Sequence, residues 1–160
     1  MTVLLESYFK EVDSGGENLK KVKYAKDVLE ADVFISMPIL KHHYVTGMTA
    51  SLKNMMWLVY DRDYFHRTDL DKCIAELNKY RKPDLIIMDA IEGITTNGPV
   101  GPGDIKKWNQ VVFGKDPVSM DVYGCKIFGV DPGDISHLQQ AISLGVGQSD
   151  MSKIDIKQIS

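Results

Sequence analysis

Residues 37–67 read MPILKHHYVTGMTASLKNMMWLVYDRDYFHR, and this stretch organises the rest of the chain. It holds three of the four histidines together with Lys41, Lys53 and Asn54, while apolar runs lie within it and before it. Hydrogen-bonding side chains cost free energy when they are buried without partners, so packing alone gives little reason to collect them here. We therefore predict that the functional site lies in this stretch.

The segment directly before these polar residues has the pattern of a buried strand. Residues 32–38, DVFISMP, are nearly continuously apolar, which is typical of a parallel strand buried on both faces. Residues 84–89, DLIIMD, repeat the pattern and end in Asp89. Ligands of open α/β sheets bind at the carboxyl ends of strands, where Lys41, His43 and Asp89 would then lie.

The segment after the histidines has helical spacing. A helix is predicted from Thr46-Gly47 to about Tyr60, since Met48, Leu52, Met55, Met56 and Val59 would form one apolar stripe. Thr46 would cap this helix and leave backbone amides of its first turn available to an anion.

Further elements extend the prediction in both directions from this centre. The N-terminal strands 8–12 and 19–24 would form a β-hairpin, and residues 1–7 could form another strand. The remaining predicted elements are helices at 25–30, 68–80, 116–128 and 131–144, a strand at 108–113 and an edge strand at 154–159. The predicted fold is one α/β domain over residues 1–160, with a mainly parallel or mixed sheet, helices packed on it and the hairpin.

Two later features add candidate site residues. Residues 93–104, GITTNGPVGPGD, form a long irregular loop suited to cover a site, although they match no phosphate-binding glycine motif. Asp121 lies in a helix that is apolar nearly all round and begins at Asp116 as N-cap, so its carboxylate needs a lysine, a metal or backbone amides as partner. A structural role and a site role for Asp121 both stay open. His137 is expected to be exposed.

Composition limits the classes of function. The net charge of −3 argues against non-specific nucleic-acid binding. No signal peptide and no apolar run of membrane-spanning length is visible, which favours a cytoplasmic location and no membrane partner. Cys73 and Cys125 lie far apart on predicted apolar helix faces, so we expect buried thiols and no iron–sulfur motif. A redox partner and a homo-oligomer stay open.

Three segments, LKHHYVTGMTASLKN, NGPVGPG and GKDPVSMD, resemble in this order the motifs of a prokaryotic family known as domain of unknown function 362. The resemblance runs from about Ala31 to Gly147 and names no substrate. It implies site roles for the residues at the signature positions, whereas His42 does not match. Those positions are Lys41, His43, Thr46, Gly47, Lys53, Asn54, Asn97, Gly98, Asp116 and Asp121.

This chain departs from the family pattern in three respects. Some members carry iron–sulfur segments, which this sequence lacks. Members usually have more sequence before the first motif, so the chain is either a short member or a fragment of a longer family domain. Trp57 stands where the pattern has glycine, and its ring would narrow or fill a space that is open in relatives.

The first hypothesis is a pocket for a small anion, either a carboxylate or a phosphate. Lys41 and Lys53 would supply charge, His43 would act as acid or base, and Asn54 would orient the ligand. Asp89 or Asp121 would orient the histidine. Whether the protein is an enzyme stays open, as does its cofactor.

Two other hypotheses compete with the anion pocket. His43 and His66, with a carboxylate from Asp89, Asp116 or Asp121, could hold a metal in a redox-associated protein, although the two lysines would repel a cation. Alternatively, the polar cluster is a structural hydrogen-bond network in a non-catalytic scaffold.

Overall fold

The computed structural model describes residues 5–159, so residues 1–4 of the predicted strand at 1–7 lie outside the described part. The strands are β1 (Phe9–Asp13), β2 (Lys21–Ala25), β3 (Ile35–Ser36), β4 (Lys41–His43), β5 (Gly47–Thr49), β6 (Leu85–Ile94) and β7 (Ile105–Gly114). The α-helices are α1 (Lys26–Glu30), α2 (Ser51–Asn54), α3 (Asp63–Arg67), α4 (Leu70–Tyr80), α5 (Pro117–Phe128) and α6 (Ser136–Ser143). Short 3₁₀ turns lie at Glu6–Tyr8, Met55–Leu58, Pro132–Asp134 and Met151–Lys153.

The central sheet has mixed orientation, as predicted for this α/β chain. Its order is β3-β6-β7, with β3 parallel and β7 antiparallel to β6. The predicted N-terminal hairpin is also confirmed, because β1 pairs antiparallel with β2 from Phe9↔Ala25 to Asp13↔Lys21. A second small hairpin joins β4 to β5.

The prediction that segment 32–38 is buried on both faces is wrong. Its residues alternate, with Ser36 buried on the inner face and Val33, Ile35 and Met37 exposed on the outer face. Among the described residues, the helices pack against one another and α5 packs on β6 and β7, so the inner face receives the core. A run of apolar residues therefore did not distinguish burial on two faces from burial on one.

The helix predicted over residues 46–60 is also wrong in its first part. The chain instead turns at Gly47, whose φ is +71°, forms β5, and begins α2 at Ser51. Thr46 caps no helix, because its hydroxyl donates to the Met48 carbonyl at 3.2 Å. The predicted apolar stripe is nevertheless buried, since a strand and a short helix bring Met48 and Leu52 into the same core.

Other element ends differ from prediction by small amounts. Helix α4 begins after Asp69, not Thr68, because the Asp69 side chain accepts from the Lys72 amide. Asp116 and Pro117 begin α5 as predicted, and both cysteines are buried. The predicted edge strand at 154–159 is wrong, because these residues form no regular element.

A buried glutamate ties the long β1–β2 loop to α4. The Glu76 carboxylate, 4% exposed, accepts from the amides of Glu17 at 2.9 Å, Asn18 at 3.1 Å and Leu19 at 2.7 Å. The carboxylate thereby satisfies three consecutive loop amides.

Substitution Glu76→Gln is expected to lower the free energy of unfolding by about 1.5 kcal/mol, because one acceptor oxygen replaces two and an amide N–H₂ faces backbone donors. Urea denaturation measures this loss. Glu11→Gln is the control: Glu11 forms an exposed ion pair with Lys21 at 3.3 Å and should change stability by less than about 0.5 kcal/mol. Equal losses in both variants would contradict the anchoring role of Glu76.

Candidate functional site

A hollow lined mainly by cationic and aromatic side chains lies beside the β4–β5 hairpin. It encloses about 310 Å³, and we call it the basic hollow. Its lining residues are Lys41, His43, Thr49, Lys53, Met56, Trp57, Arg62, Asp63, His66 and Pro99. The structure thus brings together four of the predicted candidates, namely Lys41, His43, Lys53 and His66.

Three neighbouring elements position these side chains. Strand β4 carries Lys41 and His43 at alternate positions, so both side chains leave the same side of the hairpin. Pairing of Lys41 with Thr49 places the start of α2, and with it Lys53, beside β4. Helix α3 contributes His66 to the lining of the hollow.

Lys53 is the most unusual group in the basic hollow. It is 9% exposed, and its Nζ contacts the Met56 sulfur at 3.5 Å. Among residues 5–159 it has no carboxylate within ion-pair distance. Burial lowers the pKa of Lys53, the Asp71 charge opposes this shift, and neighbouring Lys41 lowers the pKa further. A buried ammonium without an ion-pair partner costs free energy, and an anion in the hollow would relieve that cost.

His43 is held as a neutral hydrogen-bond donor. Its Nδ1 accepts from the backbone amides of Val45 at 3.2 Å and Thr46 at 3.4 Å, so the ring proton sits on Nε2. Burial, followed by the charge of Lys53, lowers the pKa of His43 to about 4. The one acceptor nitrogen is already used by the backbone, so this arrangement favours donation to a ligand over proton abstraction.

Asp121 lies outside the basic hollow and holds the start of α2. The fully buried carboxylate accepts from the amides of Ser51 at 2.7 Å and Leu52 at 3.3 Å. Backbone amides are thus its partners, and within the described residues Lys53 forms no ion pair with it. No helix begins at the predicted anion site, Thr46-Gly47, and the first amides of the helix that does form, α2, are occupied by the Asp121 carboxylate.

The prediction that His137 is exposed is wrong. Its ring is completely buried between Asp121 and Asp71, with Nε2 and Nδ1 each 3.7 Å from a carboxylate oxygen. Burial by itself would lower the pKa of His137, but the Asp121 and Asp71 carboxylates together raise it. His137 immediately precedes the apolar position Leu138 on α6, and a wider stripe on that helix would have included it.

The remaining predicted residues on the main elements make contacts within the fold. Asn54 donates to the Ser36 hydroxyl at 3.0 Å, and Asp116 accepts from the amides of Ser119 at 2.8 Å and Gln148 at 3.0 Å. Asp89 is not at a strand end, because β6 continues to Ile94, and its carboxylate accepts from the Ile91 amide at 2.9 Å. These three side chains do not line the basic hollow.

The predicted covering loop does reach the site. Gly98 donates its amide to His42 Nδ1 at 3.0 Å and accepts from the Tyr44 amide at 3.1 Å, which brings Pro99 to the wall of the hollow. A Cβ on Gly98 would collide with the His42 carbonyl, so this close approach requires glycine. Asn97, exposed with a φ of +52°, forms the turn before it.

Six lining residues were not among the predicted site residues, although the sequence had indicated that the ring of Trp57 would narrow a space: Thr49, Met56, Trp57, Arg62, Asp63 and Pro99. Arg62 and Asp63 are in the charged segment 61–67, and nothing in their spacing indicated that this segment lines the same hollow as β4. As for the metal hypothesis, no group of three or more His, Cys, Asp or Glu side chains is arranged to hold a metal within residues 5–159.

The comparisons with known proteins agree with the resemblance seen in the sequence. A family model described as "Domain of unknown function (DUF362)" matches residues 2–126. The chain is 26% identical over 138 residues to the "Thylakoid-associated protein sll1697" of Synechocystis sp. (strain ATCC 27184 / PCC 6803 / Kazusa). The match covers 81% of this chain and 43% of that relative. No solved structure matches this chain.

Within residues 5–159, no helix combines the length and the apolar character needed to cross a membrane. The cytoplasmic location favoured by the sequence stays a prediction.

Proposed function

This chain belongs to the family described as domain of unknown function 362, and on that premise we propose that its basic hollow binds a small anion through a carboxylate or phosphate group. The observation that carries the proposal is Lys53, a lysine 9% exposed that lines a hollow beside two other permanent cations, Lys41 and Arg62. Asp63 is the one carboxylate among the lining residues, so positive charge predominates.

The lining residues supply complementary contacts to an anion. Lys53 and Lys41 provide flexible point charges, and Arg62 provides a planar fork of donors that matches a carboxylate or phosphate. His43 adds a neutral N–H, because its Nδ1 is bound to backbone amides. A bound anion would offset the free energy that the Lys53 ammonium loses on desolvation. The burial of Lys53 would therefore favour binding of an anion in the hollow.

The other two hypotheses receive less support. A cation in this hollow would be repelled by the positive side chains of Lys41, Lys53 and Arg62. The scaffold hypothesis describes Asp121 and His137, whose partners come from the chain itself, but it leaves Lys53 without a partner. If the protein catalyses proton transfer, Lys53 is a better candidate than His43, since burial lowers the pKa of Lys53 and the acceptor nitrogen of His43 is already bound to the backbone.

Substitution Lys53→Met tests the proposal. In buffer without binding anions, the variant is expected to raise the free energy of unfolding by about 1 kcal/mol, because a desolvated charge is replaced by an apolar chain. Phosphate or acetate should stabilise the wild type against urea and should leave Lys53→Met unchanged, as linkage requires of a ligand that binds the folded state.

Lys115→Met is the matched control, since Lys115 is exposed and outside the basic hollow. This variant should retain the full anion-dependent stabilisation. A loss of about 3–5 kcal/mol in Lys53→Met would contradict the proposal, because it would indicate that Lys53 has an ion-pair partner within the fold.

A further inference from the structure

Trp57 is an exposed aromatic ring at the wall of a cationic site. It is 67% exposed although tryptophan is among the most strongly buried side chains on average, and it lines the basic hollow together with Lys53 and Arg62. Its neighbours on the 3₁₀ turn, Met55 and Met56, are buried, so the backbone that carries Trp57 is fixed by the core. The ring is therefore presented from a rigid position.

Arg62 covers one face of the Trp57 ring. The guanidinium carbon lies 4.2 Å from the ring centroid, which is the geometry of cation–π stacking. Stacking orders the Arg62 fork beside Lys53 and Lys41 in the same hollow. With one face against Arg62 and most of the ring still exposed, Trp57 retains surface on which a flat group can stack.

From this juxtaposition we propose that the preferred ligand is an anion whose carboxylate or phosphate is attached to a flat aromatic ring. This inference rests on the proposed anion-binding function and adds the part of the ligand that Trp57 recognises. The cations bind the charged group, and Trp57 stacks on the ring beside it. A volume of about 310 Å³ suits one ring with one charged group.

The ring preference can be measured with two matched pairs of ligands. Isothermal titration calorimetry would compare phenyl phosphate with ethyl phosphate, and benzoate with acetate, on the whole chain. Within each pair the charged group is the same and only one compound has an aromatic ring. Comparison of the two pairs distinguishes a phosphate ligand from a carboxylate ligand. In at least one pair the ring compound should bind about tenfold more tightly, as stacking on one aromatic side chain predicts.

Two variants assign that preference to Trp57. Trp57→Leu keeps apolar bulk without a flat ring, so it should reduce the preference to less than about twofold. Because Trp57 also stacks on Arg62, the readout is the ratio of ring to ringless affinity within each pair, since a change in the order of Arg62 alone affects both members of a pair. Trp57→Phe should retain most of the preference, since it restores a flat ring. Both substitutions replace an exposed side chain and should leave the fold intact.

The outcomes separate this inference from the function on which it rests. Equal affinities for the compounds with and without a ring would overturn the ring preference, but the proposed anion site would still be supported. A preference that persists in Trp57→Leu would overturn the assignment to Trp57. If none of the four compounds binds the wild type, both the anion site and the ring preference are overturned.

Discussion

Substitution Asp121→Ala is expected to lower the free energy of unfolding by about 3–5 kcal/mol, the largest loss predicted for this chain. The carboxylate is fully buried and accepts from the amides of Ser51 and Leu52. Its removal would leave these donors without that acceptor at the start of α2. It would also take away one of the two carboxylates that flank the buried ring of His137. Each of these changes leaves a buried polar group without compensation.

Asp69→Ala is the control for this loss. Asp69 also accepts from a backbone amide, that of Lys72, but it caps α4 at the surface, where water replaces the lost acceptor. We expect a loss of about 1 kcal/mol for this variant, as for other helix caps. Urea denaturation of both variants measures the difference. If Asp121→Ala were no more destabilising than Asp69→Ala, Asp121 would not be the main anchor of α2.

Local patterns predicted the cluster that matters most in the candidate site. Polar side chains next to apolar runs led to Lys41, His43 and Lys53, and the structure places all three in one hollow. The sequence also predicted that Asp121 needs a partner inside the fold. These predictions depend on short-range chemistry, because a buried charge needs a partner whatever the topology is.

The remaining features depend on tertiary contacts that local patterns do not contain. The glycine at position 47 turns the chain into β5, and the apolar spacing after it fits a helix or a strand followed by a short helix. The partners of His137 come from α4 and α5, far away in the sequence. Similarly, Trp57 and Arg62, which precede α3, line the same hollow as Lys41 and His43 of β4, and no local pattern indicates this arrangement.

Two histidines should give the stability of this protein a maximum near pH 6.5. Burial and the charge of Lys53 lower the pKa of His43 from 6.5 to about 4, so the folded state disfavours the charged ring. The stability that His43 contributes is therefore fully present above pH 6.5 and is lost as the pH falls toward 4. Between pH 6.5 and about pH 5 we expect a loss of about 1–2 kcal/mol from this group.

The change of stability with pH that His137 contributes has the opposite sign. Burial opposes the charged form of His137, but the carboxylates of Asp121 and Asp71 raise its pKa above 6.5. Its contribution is fully present below pH 6.5 and is lost as the pH rises through the higher folded value. Burial also raises the pKa of Asp121, and the charge of His137 beside it opposes this shift.

Urea denaturation in buffers without binding anions, at about pH 5, 6.5 and 8, would resolve the two slopes. His43→Gln should lose the acid-side decrease and keep the alkaline one, because Gln can accept the same amides without titrating. His137→Gln should do the reverse. Lys115→Gln is the control, since Lys115 is exposed and lies outside the basic hollow, and it should retain both slopes. A wild-type stability that is constant across this range would contradict both assignments. The two histidines change the stability on opposite sides of pH 6.5, so their effects do not cancel.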